Sequence, residues 1–230
     1  MAFKLEKYHF KTDSILEGLP SKEFRLLKQD MERLEFPKGR LIYKEGNFSK
    51  GAYILRKGKI KIYQTNKEGK EQLVYIYRKG EIMGYRPLLC EESHPVSASA
   101  LEDCVISFIP KKYFLDALSA SPILSRRLLT NLSHEFTVWV NKISIFAQQP
   151  VKERIAISLL ILNEKYRNAE KKGPVTINLS REDIANYVGT TVETLVRILR
   201  HFKDEKIIET KGRKIIILNP IQLEKIADFY

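Results

Sequence analysis

The chain has 230 residues, 43% of them hydrophobic and 10% aromatic, which is enough for one or two packed domains. Its formal charge of +12 favours a polyanionic partner. No uninterrupted apolar run approaches the roughly 20 residues that a bilayer span needs, and the N-terminus lacks the apolar stretch of a secretory signal. We therefore expect a cytoplasmic chain with no membrane partner.

Neither the charge nor the cysteines locate a functional site. Residues 151–230 hold 15 Lys and Arg against 11 Asp and Glu, whereas the first 150 residues hold 25 against 17. The two cysteines, Cys90 and Cys104, form no CxxC pair. A reducing cytosol favours two partly buried free thiols, with a disulfide as the alternative.

The segment from about residue 39 to 109 has the pattern of short strands. Runs rich in β-branched and aromatic residues alternate there with turns that contain glycine. The segment Lys67–Lys70 separates two such runs and is typical of a hairpin loop. This pattern predicts an antiparallel sandwich or jelly roll.

A long helix is predicted from 121 to 146, since this segment contains no glycine and no proline after Pro122. Ser121 is a suitable N-cap, and proline suits the first helical position. One face repeats at three- or four-residue steps, through Leu124, Leu128, Leu132, Glu135, Trp139, Ile143 and Phe146. This length favours coiled-coil pairing between two chains, with burial against the helix's own domain as the alternative.

The segment Gln148–Pro150 interrupts the helical pattern, because proline disfavours helix in the residue before it. We place a domain boundary at this point. A second helix is predicted at 151–166, followed by a basic loop at 169–174 and a short strand at 175–179.

The next segment has the pattern of two short helices joined by a tight turn. Ser180 and Asp183 resemble a capping box at the start of the first helix, and Gly189 suits its end. Thr190 or Thr191 can cap the second helix. Two helices with such a turn form a helix-turn-helix unit.

The second of these helices separates a buried stripe from a charged face. The stripe, at helical spacing, consists of Leu195, Ile198, Leu199 and Phe202. Glu193, Arg197 and Arg200 project to the opposite side, where Arg can bind guanine and Glu can accept a hydrogen bond from cytosine N4. Two other roles stay open: Glu193 can complete a cap with Thr190, or form a surface ion pair with Arg197.

A hairpin is predicted after this helix, since two β-rich runs flank the turn at 211–213. Such a hairpin is the wing of a winged helix, and its basic tip suits DNA phosphates. We assign contacts with the DNA backbone to residues of the wing and of the two helix starts, namely Ser180, Arg181, Thr190, Thr191, Lys211, Arg213 and Lys214.

The segment from 188 to 199, VGTTVETLVRIL, resembles the recognition-helix motif of the Crp–Fnr family of bacterial regulators. Residues 39–63 and 97–110 resemble the start and end of that family's cyclic-nucleotide-binding-like jelly roll, and the helix at 121–146 falls on its dimerisation helix. Val192 stands where a cAMP-responsive member has another arginine, so the chain resembles the Fnr branch more closely.

The resemblance implies an α+β fold with three parts: an effector jelly roll at 1–120, a dimerisation helix at 121–147 and a winged helix-turn-helix at 148–230. It implies a homodimer that binds a palindromic site in double-stranded DNA and works with RNA polymerase. Base contacts fall on Glu193, Arg197 and Arg200. We assign the dimer interface to Leu124, Leu128, Leu132, Trp139, Ile143 and Phe146.

The effector pocket departs from the family's pattern. Cyclic-nucleotide binders have Gly-Glu and Arg-Ser/Thr-Ala elements, but here the pairs are Gly84-Tyr85 and Val96-Ser97-Ala98. The Arg that would bind the phosphate is absent, so we do not expect cAMP to bind. Arg86 either binds another anion or is an exposed loop residue. The pocket for an unidentified small molecule would be lined by Gly84, Tyr85, Arg86, Leu88, Leu89, Val96, Ser97, Ala98 and Trp139.

Other cofactors and functions receive less support from the sequence. Two cysteines are too few for an Fnr-type iron–sulfur cluster, and the four histidines show neither metal-ligand spacing nor a sign of haem ligation. No P-loop, dinucleotide fingerprint, HExxH or nucleophile elbow indicates an enzyme. The alternative to a DNA-binding regulator is a ligand- or partner-binding protein whose C-terminal domain no longer reads DNA.

Overall fold

The computed structural model describes residues 4–28, 30–167 and 174–227. It divides into two compact units. One unit consists of Phe10–Phe136, and the other combines residues 4–9 with the described residues from 137 to 227. No helix among the described residues combines the length and apolar character that crossing a membrane requires.

The first unit is built around two antiparallel sheets of four strands each. The strands are β1 Glu32–Phe36, β2 Leu41–Tyr43, β3 Gly51–Lys57, β4 Ile60–Thr65, β5 Glu71–Tyr77, β6 Ile82–Met83, β7 Ser97–Ala100 and β8 Cys104–Pro110. They are ordered β1-β8-β3-β6 in one sheet and β2-β7-β4-β5 in the other. This arrangement confirms the predicted antiparallel β architecture.

One strand lies outside the predicted range. Strand β1 begins before residue 39 and pairs along its whole length with β8 at the edge of a sheet. Three of its five residues are charged, so it lacks the apolar alternation of an internal strand. Charged side chains are a common feature of edge strands. The predicted hairpin loop joins β4 to β5, where Gly69 has a φ of +80°.

Four helices accompany the sandwich: α1 Ser21–Lys28, α2 Arg86–Cys90, α3 Lys111–Ala120 and α4 Pro122–Gln148. Ser121 caps α4, since its hydroxyl accepts a hydrogen bond from the amide of Leu124 at 3.1 Å. The unit's core joins α1–α3 and the start of α4 to the β3–β6–β8 sheet. Its main apolar members are Ile15, Leu27, Ile54, Ile82, Tyr85, Leu88, Ile109, Phe114, Leu124 and Leu128.

The start of α4 belongs to that core, which corrects part of the predicted dimer interface. Leu124 and Leu128 are 0% and 4% exposed and pack within the core, while Leu132 is partly buried against it. The prediction that Leu124 and Leu128 face a second subunit is therefore wrong. The helical period identified an apolar stripe, but the core of the same unit covers the first residues of that stripe.

The second unit has the order of a winged helix-turn-helix. Its elements after α4 are α5 Val151–Tyr166, β9 Thr176–Asn178, α6 Arg181–Val188, α7 Val192–Asp204, β10 Ile208–Lys211, β11 Lys214–Ile217 and α8 Pro220–Ala227. The three strands form an antiparallel sheet in the order β10-β11-β9. The second predicted helix matches α5, and most of the predicted basic loop lies outside the described residues.

The cysteines are both free thiols, but their environments differ. Cys104 is buried, whereas Cys90 is exposed rather than partly buried. Burial raises the pKa of the Cys104 thiol to about 11.

Candidate nucleic-acid interface

Helix α6 has defined caps at both ends. The Ser180 hydroxyl accepts a hydrogen bond from the amide of Asp183 at 2.9 Å, which is the first bond of a capping box. The same hydroxyl donates a hydrogen bond to the Asp183 carboxylate at 2.5 Å. At the other end, Gly189 adopts a left-handed conformation with a φ of +69°, which glycine accommodates without strain. Arg154 of α5 donates to the carbonyl of Gly189 at 3.4 Å. The turn between α6 and α7 is thus fixed by local hydrogen bonds.

Helix α7 begins at a cap formed by Thr191 rather than Thr190. The Thr191 hydroxyl accepts a hydrogen bond from the Thr194 amide at 3.2 Å. Leu195, Leu199 and Phe202 are buried, and Ile198 is half-buried, so the predicted stripe faces the unit's core. The opposite face of α7 is consequently exposed.

The exposed face of α7 carries the three predicted base-reading residues. Glu193, Arg197 and Arg200 are exposed, and neither arginine has a hydrogen bond or ion pair within the part of the chain that the structure describes. The alternative ion pair between Glu193 and Arg197 does not form among those residues. Both guanidinium groups therefore keep their donors for a partner.

Glu193 also contributes to the start of its helix. Hydrogen bonds from its own backbone amide and from the Thr191 side chain lower the pKa of its carboxyl group. A capping role is thus present, with Thr191 in place of Thr190. It does not compete with a role at a DNA base, because the carboxylate is exposed and has further lone pairs.

Two exposed valines on α7 received no contact role in the sequence analysis. Val192 is 38% exposed and Val196 is 46% exposed, on a helix whose other exposed residues are polar or charged. The signal that could have identified these two is their position outside the Leu195–Leu199–Phe202 stripe.

The wing follows α7, as predicted. Strands β10 and β11 pair from Ile208–Ile217 to Lys211–Lys214, and the turn between them contains Gly212. All three predicted basic residues, Lys211, Arg213 and Lys214, are exposed on it. Their ammonium and guanidinium groups lie on the same unit as α7 and are accessible to a polyanion.

Arg181 differs from the other predicted phosphate contacts. Its guanidinium donates hydrogen bonds to the carbonyls of Gly212 and Arg213 at 3.0 and 3.2 Å. It is partly buried, and desolvation lowers its pKa. The position of this arginine connects α6 to the tip of the wing.

A second candidate site, the predicted effector region, lies in the first unit. Gly84 has a φ of +75°, and a Cβ there would lie 2.7 Å from the Tyr53 ring, so the position requires glycine. Tyr85 and Leu88 belong to the core, and Leu89 is 40% exposed. Val96 is half-buried, whereas Ala98 is buried and the buried Ser97 hydroxyl accepts a hydrogen bond from the Glu45 amide.

Arg86 is neither a free anion site nor an exposed loop residue. Its guanidinium forms an ion pair with Glu135 of α4, whose side chain is only 3% exposed, and donates to the Tyr77 hydroxyl at 3.4 Å. The Tyr85 hydroxyl donates to the same carboxylate at 3.1 Å. Sequence reasoning placed Glu135 on the apolar stripe and missed it as a partner, because the contact spans 49 positions in the sequence.

Helix α4 exposes an apolar seam of which the sequence analysis identified only Ile143. Leu129, Phe136, Val140 and Ile143 are 65%, 70%, 49% and 66% exposed, at spacings of seven, four and three residues. This is the spacing of a coiled-coil heptad. Of the remaining predicted interface residues, Phe146 is 39% exposed, and Trp139 is half-buried with the Lys142 ammonium 4.8 Å from its ring centroid.

One unit carries a turn-linked helix pair and a basic wing, and the other is a β-sandwich. Together they define a DNA-binding regulator, and comparisons with known proteins agree. The Cyclic nucleotide-binding domain model matches residues 33–121, and the Crp-like helix-turn-helix domain model matches residues 153–226. Over 83% of its length the chain is 30% identical to the transcriptional activator protein Anr of Pseudomonas protegens and 31% identical to electron transport regulator A of Shewanella oneidensis. The aligned parts cover 78% and 76% of those proteins.

The fold has solved counterparts as well. FixK2 of Bradyrhizobium japonicum superposes with a TM-score of 0.77 at 22% identity, over 87% of this chain and 98% of that one. The chain is a DNA-binding transcription regulator. It belongs to the Crp–Fnr family.

Proposed function

We propose that this regulator works as a homodimer that reads a palindromic DNA site through the exposed face of α7. The observation that carries the proposal is the free guanidinium pair of Arg197 and Arg200 beside Glu193, on a helix whose other face is fully engaged in packing. Arg197 binds guanine O6 and N7 of a G·C pair, and Glu193 accepts from cytosine N4 of the same pair.

The dimer forms through the seam of Leu129, Phe136, Val140 and Ile143 on α4. About half or more of each side chain is exposed in the single chain, which is an unfavourable state for four large apolar residues on one helix. Two-fold pairing of α4 would cover them and present two copies of α7 to half-sites one DNA turn apart, about 34 Å. The division into three parts at residues 120 and 147 stays a prediction, because the two compact units of the structure divide within α4, after Phe136.

The wing supplies contacts that do not depend on the base sequence. Lys211, Arg213 and Lys214 bind phosphates and orient the unit on the duplex, with Thr190, Thr191 and Ser180 at the helix starts as further backbone contacts. Arg181 positions the wing rather than contacting phosphate itself, because its guanidinium donates hydrogen bonds to wing carbonyls.

We propose further that the sandwich does not respond to cAMP. The one cation among the predicted pocket residues, Arg86, is neutralised by Glu135 and is not available to a cyclic phosphate. A ligand at about 100 times its dissociation constant would add about 2.7 kcal/mol of stability. We expect no change in melting temperature with cAMP, and a clear shift at micromolar cAMP would contradict the assignment.

The experiment for base reading is a selection from randomised duplexes, followed by titrations at several salt concentrations. Arg197→Ala should cost about 1–3 kcal/mol on the selected site and relax selectivity at one base pair of each half-site. Lys214→Ala should weaken all sequences alike and lower the salt slope by about one. Lys225→Ala, which removes an exposed charge on α8, is the matched control. If Arg197→Ala lost the same amount of affinity on every sequence, Arg197 would be a phosphate contact rather than a base contact.

A further inference from the structure

The exposed valines of α7 lie outside the buried stripe of that helix. Val192 and Val196 are four residues apart and therefore lie one above the other on the helix. Valine is a weaker helix former than alanine or the long polar residues, and here burial is only partial, at 38% exposure for Val192 and 46% for Val196. Thr191 already caps the helix, so Val192 is not needed to start it.

Their position places them beside the base-reading pair. At about 100° per residue, Val196 lies about 60° around the helix from Glu193 and about 40° from Arg200. The rise along the axis between Glu193 and Val196 is about 4.5 Å, close to the spacing of one base pair. The two valines thus form an apolar strip along one flank of the charged face.

The major groove offers one apolar group for such a strip, the C5-methyl of thymine. A valine side chain cannot form a hydrogen bond to any base edge, so it discriminates only by shape and by removal of apolar surface from water. We propose that Val196, with Val192 beside it, contacts a thymine methyl next to the G·C pair that Glu193 and Arg197 read. This inference rests on the proposed function of α7 and adds an A·T pair to each half-site.

The test uses a duplex that differs by that methyl alone. In the selected site, the thymine of each half-site is replaced by deoxyuridine, which keeps pairing and every hydrogen-bonding group. The loss of one methyl contact should weaken binding of the wild type about fourfold per substituted half-site. In Val196→Ala the ratio of affinities for thymine and deoxyuridine should fall towards one. Alanine favours helix, so the variant keeps the fold of α7.

Ile221→Ala is the matched control, because Ile221 is also an exposed apolar residue of the same unit, on α8, and is 65% exposed. It should leave the thymine-to-deoxyuridine ratio of the wild type unchanged. A wild-type ratio of one, with sequence-specific binding otherwise intact, would overturn the inference and leave the proposed function standing. Failure of the selection to enrich any site would instead contradict the proposed function itself.

Discussion

Helices α4 and α7 differ in what they bury: α7 buries only apolar residues, whereas α4 buries apolar and polar residues together. The buried residues of α7 are Leu195, Leu199 and Phe202, all apolar. The buried residues of α4 include three polar ones, Asn131, Glu135 and Lys142, while four of its large apolar side chains are exposed: Leu129, Phe136, Val140 and Ile143. A short helix inside one unit needs a single apolar face. A long helix that packs against its own unit and also pairs with a second copy needs two apolar stripes. Its buried polar residues must then form hydrogen bonds or ion pairs within the chain.

The sharpest contrast on α4 lies between two adjacent leucines. Leu128 is 4% exposed in the core and Leu129 is 65% exposed in the seam. Leu128→Ala should lower the free energy of unfolding by about 2–5 kcal/mol at every protein concentration, because it leaves a cavity. Leu129→Ala should mainly weaken dimerisation, so its effect should depend on concentration. Urea unfolding at two concentrations distinguishes them, and equal, concentration-independent losses would contradict the assignment of the two faces.

The buried carboxylate of Glu135 provides the next test. Glu135→Gln would leave the Arg86 guanidinium without its counter-charge in a mostly buried position. Since Arg86 is about one-third exposed, we expect a loss of about 2 kcal/mol rather than the full cost of a buried unpaired charge. The control is Glu102→Gln, which breaks the more exposed Lys59–Glu102 pair and should cost about 0.5 kcal/mol or less. Urea unfolding measures both, and equal effects would show that the Arg86 pair is not structural.

Lys142 is the buried cation of α4 that has no carboxylate partner among the described residues. Its ammonium lies 3.4 Å from the Tyr187 hydroxyl and above the Trp139 and Tyr187 rings. Desolvation, with a contribution from Lys165, lowers its pKa to about 7. The other polar residues around the adjoining cavity are Tyr8, Arg154 and Ser158.

The sign of the pH effect follows from this lowered pKa. Between pH 7 and 10.5 the unfolded chain keeps a proton on Lys142 that the folded chain releases, so stability should rise with pH across that window. Below pH 7 both states are protonated, and this dependence ends. From pH 7 to 9 the wild type should gain about 2 kcal/mol over Lys142→Met.

The fluorescence of Trp139, the single tryptophan, reports unfolding next to this group. Lys225→Met, on the surface of α8, is the control and should keep the wild-type dependence. An unchanged pH profile in Lys142→Met would show that Lys142 does not titrate in this range.

The buried face of α7 could be predicted from the sequence, whereas the buried face of α4 could not, for a physical reason. In α7 the capping signals, the Gly189 turn and one apolar stripe all depend on neighbouring residues, so the period identified the buried face correctly. In α4 two apolar stripes have the same helical period. Which of them packs against its own unit depends on contacts with residues distant in the sequence. The Arg86–Glu135 pair and the edge strand β1 were missed because pairings distant in sequence leave no local pattern.

We propose that α4 pairs with its copy in a second chain and that the two copies of α7 then read the two DNA half-sites. A single measurement tests both statements. Binding stoichiometry and affinity should be determined for the wild type and for Phe136→Asp, on the selected palindrome and on a duplex with one half-site. We expect two wild-type chains per palindrome, whereas Phe136→Asp should be a folded monomer that binds the palindrome no better than the half-site. A wild type that sediments as a monomer at micromolar concentration and binds both duplexes equally would contradict both statements.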